Sequence, residues 1–115
     1  MTIDWDKVLA AVDGQQDLLL DLIDIFFTER AQVLPRIAAA IEDRDAGELQ
    51  LFAHRLKGCL AYFGQSKAGE VAWQLESLGR NRTLDGAPEL LAQLRTAVDE
   101  LLPSLRAYRH EHQQN

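Results

Sequence analysis

A chain of 115 residues, 47% of them hydrophobic and 26% charged, has apolar material for one core and no room for a second domain. Its formal charge of -6 argues against nucleic acid or an anionic membrane as the main partner, since either favours a basic patch. The single cysteine, Cys59, excludes an internal disulfide and a thiolate metal cage, and it fits a reducing cytoplasm.

No window approaches the roughly 18 to 20 consecutive apolar residues of a membrane span. The start, Met1-Thr2-Ile3-Asp4-Trp5-Asp6, is acidic and lacks the basic, apolar, small-residue order of a secretory signal. A cytoplasmic, free-standing chain is therefore expected, as one domain over residues 1–115 with a bundle at about 4–108 and a polar tail at 109–115.

Asp4 can cap a short helix over residues 5–12, which ends at the turn signal Asp13-Gly14. Over residues 16–41 the apolar Leu19, Leu22, Ile23, Phe26, Val33, Ile37 and Ile41 recur three or four apart, the pattern of a long helix buried on one side. Pro35 removes a backbone donor and crowds the preceding turn, so a kink or a break into two helices is expected at 31–35. Asp45 can cap a helix over residues 46–63, stopped by Gly64. Ser66 can cap the next helix, whose buried stripe is Ala68, Val71, Leu75 and Leu78, with a polar loop expected at 79–86. Trp73 lies off that stripe, where it either covers the edge of a neighbouring helix, the reading we favour, or joins a docking surface. Pro88 suits the first turn of the last helix, whose core side is Leu91, Leu94, Val98, Leu101, Leu102 and Leu105, with a second kink expected near Pro103. No segment has the period of a strand. The fold expected is all-α, an antiparallel up-and-down four-helix bundle with a short additional N-terminal helix.

The third of these helices carries the chemistry. Leu49, Phe52, Ala53, Leu56, Leu60 and Phe63 share its apolar face, whereas His54 lies roughly 140° round from Leu49, with Gly47, Gly58 and Ala61 within about 40° of it and Lys57 at its flank. A mid-helix glycine costs roughly 1 kcal/mol relative to alanine, so Gly58, one turn after His54, needs another use, and clearance for an approaching molecule is the simplest. An imidazole titrating near neutrality has a lone pair with which to attack phosphorus, and Lys57 can bring a positive charge near an incoming anion. Leu51 and Tyr62 sit beside His54 off the core face. They form a docking patch bordered by Arg55 and including Ala61, or else they pack on a neighbouring helix. Cys59 reads as a small core residue. His110 and His112 lack partners at ligand spacing, so no metal site is expected.

At these residues the chain resembles the histidine-containing phosphotransfer (HPt) domains of bacterial multistep phosphorelays. Their motif, approximately His-x-Leu-Lys-Gly, a spacer, Gly, then a helix ending in Leu-Glu or Leu-Gln, is met by His54, Leu56, Lys57, Gly58, Gly64, Leu75 and Glu76. The likeness extends from the acidic start to about Tyr108. It implies that His54 accepts the phosphoryl group, that Lys57 lowers the cost of its negative charge, and that Glu76 orients the ring by a hydrogen bond. It also implies response-regulator receiver domains and a hybrid histidine kinase as partners, with the Mg2+ held by the receiver and no cofactor on this chain.

The expected function is thus a relay of phosphoryl groups between receiver aspartates. A receiver-sequestering module that carries no phosphate, and the phosphoacceptor domain of a histidine kinase, are the alternatives. No glycine-rich phosphate loop is present, so the chain is expected to supply a nucleophile and a docking face and not to be an enzyme. A single histidine-bearing helix needs no symmetric partner, so a monomer is expected.

Overall fold

The helical part of the chain begins at Asp4, whose carboxylate accepts the Lys7 amide at 3.2 Å and so satisfies one of the donors that every helix start leaves open. The computed structural model describes residues 3–113; the first two residues of the acidic start and the last two of the expected tail lie outside them. Helix α1 spans Trp5–Ala11. Asp13 at φ 57° and Gly14 at φ 74° then reverse the chain.

Helix α2 (Gln16–Glu42) is one unbroken element with Pro35 inside it, and α5 (Ala87–His112) likewise continues through Pro103. The expected break at Pro35 therefore does not occur. Both prolines are exposed, as are Ala31 and Asp99 one turn earlier, so the carbonyls that lose a donor lie where water can replace it. Helix α5 also runs four residues past Tyr108, because Tyr108 is itself buried and stacks on Trp5 of α1 at 4.0 Å between ring centres.

Helix α3 (Ala46–Ala61) starts at Asp45, whose carboxylate accepts the Glu48 amide at 3.0 Å. It ends two residues earlier than expected, ahead of Gly64 at φ 90°, a left-handed conformation open to glycine. Helix α4 (Lys67–Arg80) starts at Ser66, whose hydroxyl accepts the Gly69 amide at 3.1 Å. The loop expected from residue 79 begins later, because Gly79 is buried inside α4 against the backbone of α3.

Consecutive helices pack side by side, and α5 returns to α2, so α2 to α5 close a four-membered ring with α1 set against one end. The architecture is the expected all-α bundle plus one short helix. Its length of 45 Å is close to the roughly 40 Å of a 27-residue helix such as α2. Leu19, Ile23, Phe26, Val33 and Ile37 from α2 meet Leu49, Ala53, Leu56 and Leu60 from α3 and the apolar stripes of α4 and α5 in one core. Burial of Leu49, Leu56 and Leu60 is worth about 1.5–3 kcal/mol each. Rotating α3 to hide His54 would expose all three, at a cost on the order of 5 to 9 kcal/mol, so the core holds the histidine outside.

Candidate functional site

His54 stands on the outer face of α3 with its side chain 65% exposed. Across the α3–α4 seam, its Nδ1 lies 3.1 Å from Oε2 of Glu76. An ionised carboxylate can only accept, so in the neutral imidazole Nδ1 carries the proton and donates, which leaves the lone pair on Nε2. One hydrogen bond thus fixes both the ring's orientation and its tautomer.

Glu76 is the hub of the site. Its side chain is only 4% exposed, and its two oxygens meet three groups. Lys57 Nζ lies 2.6 Å from Oε1, while Arg80 Nη2 donates to Oε2 at 2.8 Å. Burial pushes the Glu76 carboxyl up, but the Lys57 ammonium and the His54 ring outweigh it and hold the group below its ordinary range. The carboxylate therefore stays charged where a buried acid alone would tend to neutralise. Lys57, expected to face incoming phosphate, rests on Glu76 about one turn from the ring.

Gly58 leaves the approach open, since a Cβ built there meets no atom within 4 Å. Gly47, Gln50 and Leu51 line the other side of the His54 groove. Leu51 and Tyr62 are 57% and 54% exposed and lie outside the set of residues packed on the core. Ala61 is exposed beside them. Arg55 is held toward α2 by Glu29, donating from Nε at 2.6 Å and Nη2 at 2.8 Å; this forked pair keeps the Glu29 carboxyl below its ordinary range. Trp73 is also more than half exposed and lies outside the set of residues packed on the core. The favoured reading of it as cover for a helix edge is therefore not met. Cys59 is half-buried, and burial raises its thiol above the ordinary range, which keeps it protonated.

Arg80, Gly79 and Glu29 did not emerge from the sequence. Arg80 left a signal, because Glu76 and Arg80 are four apart on one helix, a spacing that pairs opposite charges. Residue order alone places Gly79 at the start of a loop, and Glu29 pairs across two helices, which spacing within one helix does not reveal. His112 is turned inward, its Nδ1 2.9 Å from the Tyr108 carbonyl. Among the described residues, no three of His, Cys, Asp and Glu converge as metal ligands, and no helix is long and apolar enough to cross a membrane.

The family model for the Hpt domain matches residues 21–103, which contain α3, α4 and the whole His54 site. The crystal structure of histidine-containing phosphotransfer protein B (HptB) from Pseudomonas aeruginosa PAO1 superposes with a TM-score of 0.85 at 26% identity, covering 94% of this chain and 95% of that one. No match was found among the curated proteins. These likenesses correct the expectation that the chain is not an enzyme: Hpt domains are phosphotransferases, because the phosphoryl group becomes covalently bound to the protein's histidine and then leaves it. The exposed histidine, the bundle that presents it and the family match lead to one conclusion, that this chain belongs to the Hpt domain family and relays phosphoryl groups through a phosphohistidine in two-component signalling.

Proposed function

We propose that His54 is the phosphohistidine of this chain and that Nε2 is the reacting nitrogen. The observation that carries this reading is the bond from Nδ1 to Glu76, which leaves the Nε2 lone pair free on an exposed ring. Nε2 attacks the phosphorus of a receiver phosphoaspartate. A P–N bond forms as the P–O bond to the aspartate breaks, and the aspartate carboxylate leaves with the electron pair. The phosphorylated ring keeps its Nδ1 proton and is cationic, so the Glu76 carboxylate stabilises it, and the same steps in reverse load a second receiver. Phosphoryl transfer depends mainly on alignment and charge. Lys57 and Arg80 add two positive charges to the one negative charge of Glu76 and favour a phosphoryl dianion beside them.

The partners are receiver domains, whose acidic pocket carries the divalent metal, and a hybrid kinase upstream. Leu51, Arg55, Ala61 and Tyr62 form the face on which a receiver sits, and Gly58 is the gap through which its aspartate reaches the ring. We assign the whole chain, residues 1–115, to one such domain acting as a cytoplasmic monomer. Incubation with a 32P-phosphorylated receiver tests the assignment: wild type takes up label and His54→Gln does not. Equal labelling of the two removes His54 from the reaction.

A further inference from the structure

We infer that Gly79, which touches neither His54 nor any reacting atom, is a positioning residue that sets the α3–α4 separation on which the His54 to Glu76 hydrogen bond depends. This rests on the reading of His54 as the phosphoacceptor.

Gly79 is buried three residues after Glu76 on α4, and α3 approaches it through backbone atoms. A Cβ at this position would lie 2.6 Å from the Gln50 nitrogen, 2.7 Å from the Ala46 oxygen and 2.9 Å from the Gln50 Cα. No side chain can swing away to relieve such a clash, because all three atoms belong to the first turns of α3. Reaching ordinary contact at 3.4 Å requires the helices to separate by about 0.8 Å at this point.

Helices are stiff over the distances involved. Glu76 is one turn from Gly79, and His54 is one turn from Gln50, so roughly 5 to 6 Å of helix joins the wedge to the hydrogen bond on either side. A displacement of that size carried to the seam takes the Nδ1 to Oε2 distance from 3.1 Å to about 3.9 Å, beyond hydrogen-bonding range. The ring then loses the acceptor that keeps its proton on Nδ1. The other glycines of the two helices do not have this role. An added Cβ meets only Asp45 Oδ1 at 3.6 Å at Gly47, only Ser66 Oγ at 3.4 Å at Gly69, and nothing at Gly58.

The test compares Gly79→Ala with Gly69→Ala, which makes the same residue change on the same helix without the wedge. Two properties are measured: phosphotransfer from a phosphorylated receiver in a single turnover, and the 15N shifts of the His54 ring, which distinguish the two neutral tautomers. Gly79→Ala is expected to keep native helical circular dichroism, to move the ring nitrogens toward the Nε2–H form, and to slow transfer by up to about tenfold, the loss expected when that hydrogen bond is removed outright. Gly69→Ala should match wild type in both. In a Glu76→Ala background, where the bond is already absent, Gly79→Ala should add no further loss, whereas a general loosening of the bundle would multiply the two effects. If Gly79→Ala does not fold on its own, it is compared with Gly69→Ala on the same measurements in a stabilising osmolyte such as trimethylamine N-oxide, which favours the folded state without relieving the wedge. A folded variant with unchanged ring shifts, a transfer rate equal to wild type, or an undiminished loss in the Glu76→Ala background each overturns the inference while leaving His54 in place. Labelling of His54→Gln would instead overturn the phosphoacceptor reading, and the inference with it.

Discussion

Replacing Glu76 by alanine separates the two things its carboxylate does, orienting His54 and anchoring two cations. The hydrogen bond from Nδ1 has a charged acceptor, which places it at about 1.5–3 kcal/mol. The ring is 65% exposed, so water can replace part of that bond and the lower end applies. About 1.5 kcal/mol is roughly a tenfold change in the population of the oriented, Nδ1-protonated ring, and transfer should fall about tenfold. Stability should fall less steeply. Lys57 and Arg80 are 32% and 52% exposed, so each returns to water when its partner is removed, and the two ion pairs together with the small void come to about 1–2 kcal/mol. Glu76→Gln should behave differently, because its amide oxygen can still accept from Nδ1 while its NH2 group faces Lys57. A transfer loss of only about threefold is expected there, the neutral acceptor being the weaker one. Single-turnover transfer, with urea unfolding on the same samples, measures both effects. If Glu76→Ala transfers at the wild-type rate and its His54 nitrogens keep their shifts, the tautomer argument is wrong.

Two further outcomes follow from the same geometry. Gly58→Ala should fold and gain about 1 kcal/mol of helix stability, since its methyl meets no atom within 4 Å. It should slow phosphorylation by a receiver at least tenfold while leaving labelling by a small phosphoramidate unchanged, and an equal effect on both donors would rule out clearance as its role. The pH dependence of stability has a definite sign. The Glu76 carboxyl titrates in the folded chain below its ordinary value of 4.5, so its contribution is complete above that value and is lost as pH falls through the lower folded one. Urea midpoints of wild type should therefore fall more steeply than those of Glu76→Gln as the pH is lowered from 5 into that range, and parallel curves would show that Glu76 is not held charged by its neighbours.

Much of this site could be read from residue order. The three-and-four spacing of Leu49, Ala53, Leu56 and Leu60 determines which side of α3 is buried and leaves His54 on the opposite side, whatever the helix packs against. The caps at Asp4, Asp45 and Ser66, and the stop at Gly64, depend on atoms a few residues apart, so local chemistry specifies them. Pro35 departs from the local expectation for a physical reason: the penalty of a helical proline depends on whether its lost hydrogen bond faces water, and the exposure of Pro35 is a property of the packed bundle.

Spacing along one helix states where a side chain points about its own axis. It does not state which other axis lies in that direction, or how far away it is. The sequence by itself therefore determined four amphipathic helices and an outward histidine beside a bare glycine. Only the tertiary structure decided that Lys57 and Arg80 would share one buried carboxylate, that Glu29 would hold Arg55, and that Gly79 would let two backbones approach closely enough for His54 to reach Glu76. Each of these contacts joins different helices or depends on the distance between them, and that distance is set by the fit of the whole core.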